Sequence, residues 1–334
     1  MRQVVNPPNP YDKYSSEFLG EPPKAKLEIY EETTTRSMIS KSYNGPGKHR
    51  LTVNCYRGCI HACTYCFARR YHEFLGYGAG TDFETKIVAK VNAPEALRAE
   101  LKKTREKIEL LEFSFATDPY IPIEANYELT RKCLEVCLDF KIPTVIVTKS
   151  PLVTRDIELI KKLGAGVFFS IPFLNKESSK PFEQFTPIPD ARFRAMKKVS
   201  DAGIETGLAL APVIPGYNES QIPGLLEKAK ECGATRAFMS MLHIDSDSIE
   251  KYFVEKTRAH IPTKAEKIIN TMKRERNGRL QHRTFAERNT GGTKQWKAAT
   301  ELFELHFSRL GFRKFERPRN EPPEETTATQ GSLF

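Results

Sequence analysis

Cys59, Cys63 and Cys66 stand four and then three residues apart in the run Cys59-Ile60-His61-Ala62-Cys63-Thr64-Tyr65-Cys66. In a tight loop, that spacing lets three thiols converge on one side. Crowding them is electrostatically costly, because the thiolate is the metal-binding form, so the pattern points to a metal or a cluster. Zinc in a closed structural site takes four protein ligands. Three clustered thiols leave one coordination site open, which suits a 4Fe–4S cluster whose fourth iron binds something else. The alternative is a zinc knuckle with Cys55 as fourth ligand. Cys133 and Cys137, one helical turn apart, and Cys232 at a helix end read as core filler.

The thiols must be held by neighbouring elements, and these alternate. Strand-like apolar runs occur at Leu51–Asn54, Leu110–Phe115, Thr144–Val147, Val167–Ile171, Thr206–Leu210 and Ala237–Leu242. Helical patterns lie between them at Glu124–Asp139, Arg155–Leu163, Asp190–Ala202 and Ser220–Cys232. Six strand–helix units imply parallel strands with right-handed crossovers. The fold class expected is α/β. In such sheets ligands bind beyond the carboxyl ends of the strands. Polar residues collect there: Thr117-Asp118, Thr148-Lys149-Ser150, Ser170 inside the fourth run, and Pro212–Gly216 closing the fifth.

Around this core, residues 1–50 read as an irregular arm rich in Pro, Ser/Thr and charge, with Asn44–Gly47 as a turn. Phe67–Phe74 reads as a helix start broken by the Gly76–Gly80 run, which is a loop without a phosphate-binding pattern. From Ile249 the pattern is helical, with candidates at Lys264–Arg276 and Thr293–Leu310. The divisions expected are thus 1–50 (arm), 51–248 (core barrel), 249–320 (basic helical extension) and 321–334 (flexible tail). No apolar stretch reaches membrane-spanning length. The first residues lack a signal core and the seven cysteines are odd in number, with three in the cluster, which argues against a secreted disulfide scaffold and fits the expectation of a reducing cytoplasm. Charge is uneven: Lys256–Asn320 holds 17 Lys/Arg against 6 Asp/Glu, within a chain of net +10. That is the footprint of a polyanion-binding surface, or of a solvated helical face.

Cysteines spaced in this way and followed by an α/β pattern resemble the radical S-adenosylmethionine (SAM) superfamily. Together with Thr117-Asp118, Thr148-Lys149-Ser150 and Ala211–Gly216, they look like its spore photoproduct lyase-like branch, often labelled "DNA repair photolyase". The resemblance runs from about Asn6 to Phe312. It implies a partial (β/α)6 barrel of TIM type, a 4Fe–4S cluster on Cys59, Cys63 and Cys66, and SAM chelated to the open iron. Reductive cleavage of SAM would then yield a 5′-deoxyadenosyl radical that abstracts hydrogen from a substrate, with nucleic acid as the class the label suggests. It implies Tyr65 beside the adenine, Thr117 and Asp118 at the amino-acid end of SAM, Lys149 at its carboxylate and Ser170 at the ribose. It also implies an electron donor of flavodoxin or ferredoxin type. Glu183 and Arg192, flanking Thr186-Pro187, resemble the family's Glu-to-Arg stretch, for which a plain ion pair is the minimal expectation. A nucleic-acid-binding repair accessory with a structural metal or Fe–S site is the other reading.

Two positions depart from the lyases. Their hydrogen-donating cysteine is replaced by Phe115, and the tyrosine after their last cluster cysteine by Phe67. Cys55 stands where the family usually has proline. The last five residues, Gln330-Gly331-Ser332-Leu333-Phe334, resemble the peptide by which bacterial repair and replication proteins dock on the DNA sliding clamp. In that mode Leu333 and Phe334 would fill an apolar pocket and Gln330 would bond at its rim.

Overall fold

The computed structural model describes residues 26–43, 49–282 and 286–314. Six parallel strands follow one another in chain order: β3 (His49–Val53), β6 (Leu111–Phe113), β7 (Thr144–Thr148), β8 (Gly166–Ser170), β9 (Thr206–Val213) and β10 (Arg236–Met241). β2 (Ile39–Tyr43) extends the sheet antiparallel to β3, pairing Ile39 with Val53 and Tyr43 with His49. β10 pairs with β9 and not with β3, so the curve stays open, as a partial barrel does. The six apolar runs of the sequence are these six strands.

Alternation along each strand sets the two faces. Ile146, Val167, Phe169, Leu208 and Leu210 point outward into the main core beneath the crossover helices Leu129–Asp139, Ile157–Leu163, Pro189–Asp201 and Ile222–Glu231. Val145, Phe168 and Ala209 point inward, joined by Leu110, Val147 and Phe238. They plug the lower lumen and leave the carboxyl ends for polar groups. Gly207 is part of that plug, because a Cβ there would lie 2.3 Å from the Phe168 ring. Any larger residue would displace the ring from the lumen.

The structure corrects the reading of the first fifty residues as an arm without regular structure. β1 (Glu28–Glu32) and β2 both lie within it. β1 pairs in parallel with β5 (Lys86–Lys90), which pairs antiparallel with β4 (Tyr56–Arg57), the short strand that enters the cysteine loop. Charge masks β1: three of its five residues are Glu, and most of it is exposed. Three further helices, Thr81–Thr85, Ala93–Lys103 and Lys176–Ser179, have no counterpart among the helical patterns of the sequence. Glu124–Asp139 is not one helix, because Glu128 takes φ 53° and separates Glu124–Tyr127 from Leu129–Asp139. Beyond the barrel, Asp247–His260, Pro262–Glu275 and Lys294–Arg309 are helical. The first two bury Ile249, Phe253, Ile268, Ile269 and Met272 in a second core that also contains Cys63 and Tyr65. No helix among the described residues is long and apolar enough to cross a membrane. The sliding-clamp motif at Gln330–Phe334 and the Asn44–Gly47 turn lie outside the described residues.

Candidate active site at the mouth of the barrel

The cysteine loop is shaped before any thiol is considered. Gly58 opens it at φ 77°, and a Cβ there would come within 2.9 Å of the Phe83 carbonyl, so only glycine lets the Cys59 amide donate to that carbonyl at 2.8 Å. Ala62, at φ 51°, turns the chain back, with its amide donating to the Cys59 carbonyl. The Cys66 amide donates to the Cys63 carbonyl at 3.2 Å and the Thr64 amide to Phe182 at 2.9 Å. Arg69 closes the loop from beneath. Fully buried, it donates to the Cys63 carbonyl at 3.1 and 2.9 Å, to Ala79 and Gly80 at 3.0 Å each, and to Glu84. Its guanidinium lies 4.0 Å from the Tyr252 ring centroid.

Cys59 and Cys63 are buried and Cys66 half-buried. Burial pushes the Cys63 and Cys66 thiols up, and the neighbouring thiols add to that. Burial also works against ionising Cys59, but adjacent His61 outweighs it and the thiol ends lowered. His61 in turn is raised to about 9, because Asp118 and Cys59 overcome its burial. Among the described residues no three His, Cys, Asp or Glu side chains converge on one ion. Cys55, the fourth ligand that the zinc alternative needs, has its sulfur 3.6 Å from that of Cys133 in the core. Three thiol donors on one loop are the donor set that a 4Fe–4S cluster with one open iron would take.

The strand ends bring the remaining residues to this loop. Asp118 accepts from the Thr148 hydroxyl at 2.6 Å, from the backbone amides of Tyr120 and Lys149 at 2.9 and 2.7 Å, and lies 3.5 Å from His61 Nδ1. Burial raises its carboxyl, but His61 and the hydroxyl and amide bonds hold it down at about 2. The Thr117 hydroxyl donates to the Gly58 carbonyl at 2.7 Å, while Asn54 Oδ1 accepts from the Ala116 and Thr117 amides. Thr117 and Asp118 therefore tie the second strand's end to the cysteine loop. Lys149 Nζ, half-buried, stands 3.0 Å from Ser170 Oγ and 5.7 Å from the centre of the Tyr65 ring. The Tyr65 hydroxyl donates to Glu183, which pairs with Arg192.

A model of the radical SAM superfamily matches residues 53–229. The chain belongs to the radical SAM superfamily. An uncharacterized protein of Mycobacterium bovis is 33% identical over 238 residues, covering 69% of this chain and 70% of that one. The radical SAM Nalpha-GlyT isomerase of Pseudomonas phage M6 is 25% identical over 52% of this chain and 35% of its own. In fold, the chain is similar to spore photoproduct lyase complexed with dinucleoside spore photoproduct, at TM-score 0.60 and 15% identity over 89% of this chain and 87% of that one. It is similar to a variant of that lyase with bound AdoMet and the same photoproduct, at TM-score 0.60 and 15% identity over 86% and 81%.

This radical SAM enzyme departs from the lyases' hydrogen-return pair in a structured way. Phe115 sits at φ 86°, a region unfavourable for a bulky residue, with the Arg50 guanidinium 3.9 Å from its ring centre. The Phe67 ring lies 5.0 Å from His243 and 5.4 Å from the Arg288 guanidinium. Sequence reasoning missed the structural roles of Arg69, His61 and Asn54. Arg69 had no visible signal, because Arg69-Arg70-Tyr71-His72-Glu73 reads as an exposed helical turn. His61 had one: an imidazole between two thiols.

Proposed function

We propose that this radical SAM enzyme holds a 4Fe–4S cluster on Cys59, Cys63 and Cys66, binds SAM at Tyr65, Thr117, Asp118, Lys149 and Ser170, and acts on nucleic acid. The observation that carries the reading is the meeting of the three-thiol loop with the Lys149–Ser170 pair at the carboxyl ends of β7 and β8. Cluster and SAM together supply reductive cleavage of SAM and hydrogen-atom abstraction from the substrate. The chain's own groups bind and orient. Lys149, with Ser170 beside it, offers a cation to a carboxylate. Its charge is favoured despite burial, because Cys63 and Glu183 raise it. Asp118 also fixes the backbone of Lys149 and the ring of His61, which positions the groups around the amino-acid end of SAM. The Phe173 ring lies 6.5 Å from that of Tyr65, and both belong to a buried apolar cluster with Ile214 and Leu242, a setting that keeps water away from a reacting group. Radical SAM chemistry also needs an electron donor, here of flavodoxin or ferredoxin type, and with its free cysteines the reading places the enzyme in a reducing cytoplasm.

The nucleic-acid part rests on the basic C-terminal third and on the dinucleoside lesion bound by the lyase that shares the fold. Part of that charge is structural. Arg276 donates to the Leu280 and Leu242 carbonyls, Arg258 pairs with Glu266, and Arg309, Arg313 and Lys314 pair with Glu227, Glu205 and Glu304. Lys264, Lys267, Arg279, Lys294 and Lys297 are exposed and remain for phosphate. The test is a salt titration of oligonucleotide binding, in which log affinity should fall with log salt by several units of slope. Salt-independent binding, or none at low salt, removes nucleic acid from the reading.

Two narrower outcomes follow. Spore photoproduct itself should not be repaired catalytically, because Phe115 and Phe67 cannot return hydrogen. Assay of lesion reversal by the purified enzyme checks this, and lyase-like turnover contradicts it. A peptide of the C-terminal residues should bind a bacterial sliding clamp with micromolar affinity in fluorescence anisotropy, since burying Leu333 and Phe334 offers roughly 3–6 kcal/mol before ordering costs. A peptide with Leu333→Ala and Phe334→Ala that binds equally well disposes of clamp docking.

A further inference from the structure

Phe67, directly after the last cluster thiol, starts a line of rings that leaves the barrel mouth. Its ring meets that of Tyr71 edge-on at 6.3 Å, and Tyr71 stacks with Phe74 at 6.5 Å and 26°. Exposure grows along the line, from half-buried Phe67 to Tyr71 at 40% and Phe74 at 56%. Tyr71 and Phe74 thus leave a large aromatic surface facing solvent beside the barrel mouth. One cation, Arg288, stands beside them, while nearby Asp245 is paired with Arg70 at 2.7 Å. Arg288 lies 5.4 Å from the centre of the Phe67 ring, and its Nε and guanidinium nitrogens are 3.3 and 3.1 Å from His243 Nε2. His243 accepts there and so is neutral, leaving the Arg288 charge uncompensated by that partner. The His282 ring lies 5.7 Å from that of His243.

Resting on the nucleic-acid reading above, we propose that Phe67, Tyr71 and Phe74 form a stacking platform for unpaired nucleobases, with Arg288 holding the adjoining phosphate. Every base has a face to stack, so such a platform takes single strands of any sequence, and a cation alongside follows the backbone. A paired duplex hides those faces. The platform delivers a strand to the thiol loop, because its inner ring is the residue after Cys66.

The experiment uses the full chain and fluorescein-labelled oligothymidylate, oligouridylate and a blunt DNA duplex of equal length. Both single strands should bind more tightly than the duplex. Tyr71→Ala and Phe74→Ala should each weaken single-strand binding by about tenfold, within the range of base–aromatic stacking. Arg288→Gln should weaken it and reduce the salt slope by about 1. Leu305→Ala, an apolar side chain that is more exposed still at 63%, should bind as wild type. The platform is overturned if all three variants bind as wild type, or if duplex binds as tightly as single strand. In either case the nucleic-acid reading stands. If the wild type binds no oligonucleotide at low salt, both fall together. Preference between the two single strands separates DNA from RNA as the source.

Discussion

Cys59→Ala, Cys63→Ala and Cys66→Ala will each lose the iron–sulfur cluster after anaerobic reconstitution, while Cys55→Ala will keep it. The three loop thiols lie on a backbone held by Gly58, Ala62 and Arg69, and each would bind its own iron, so no neighbour can substitute for a missing one. Cys55 has a different environment. It is 2% exposed and its sulfur contacts Cys133, so its loss trims a core contact at a cost of about 1 kcal/mol. Iron and sulfide analysis with the visible absorption band reads the result. A Cys55→Ala protein without iron, or a wild type that takes up one zinc per chain, means the ligands are wrongly assigned.

The largest stability effect is expected from Arg192→Met. Arg192 and Glu183 have fully buried side chains. Arg192 donates to the Ser170 and Pro187 carbonyls at 2.9 and 2.8 Å and to the Thr186 hydroxyl at 2.7 Å. Its removal strands the Glu183 carboxylate in the interior, which costs about 3–5 kcal/mol. It also frees the carbonyl that sets the end of β8 and the acid that receives the Tyr65 hydroxyl. Denaturant unfolding should register the loss. The double variant Glu183→Leu, Arg192→Met should recover much of it, because no charge is then stranded. Lys197→Ala, whose exposed partner is Asp201, should change stability by no more than about 0.5 kcal/mol. Burial raises the Glu183 carboxyl, but Arg192 and then Lys149 outweigh it, so its folded pKa lies below the unfolded one. The pair's contribution is therefore present above the ordinary carboxylate range and is lost as pH falls through the lowered folded value. The gap between wild type and Glu183→Gln should narrow on acidification. A single variant as stable as wild type would remove the pair from the account.

The barrel was legible because its central strands β6 to β9 are buried on both faces and read as apolar runs, as parallel strands do. β1 was not, since an exposed edge strand needs no apolar pattern and Glu28, Glu31 and Glu32 hide what there is. The break at Glu128 was invisible as well, because nothing in a Tyr-Glu-Leu sequence signals a left-handed residue. At the site, thiol spacing and the polar strand ends were readable from residue types. The partners were not: Asp118 spends its carboxylate on Thr148, Lys149 and His61, contacts between distant segments that no local pattern encodes. Arg69 looks like any surface arginine until the fold wraps Ala79, Gly80 and Cys63 around it.

The central claim, that this chain uses its three-thiol loop for reductive SAM cleavage, is tested most directly by one assay. The anaerobically reconstituted wild type is mixed with SAM and dithionite, and 5′-deoxyadenosine is followed by chromatography beside a Cys63→Ala control. Formation of 5′-deoxyadenosine by the wild type and not by the control is the predicted result. A wild type that carries its cluster, binds SAM and yields no 5′-deoxyadenosine would contradict it.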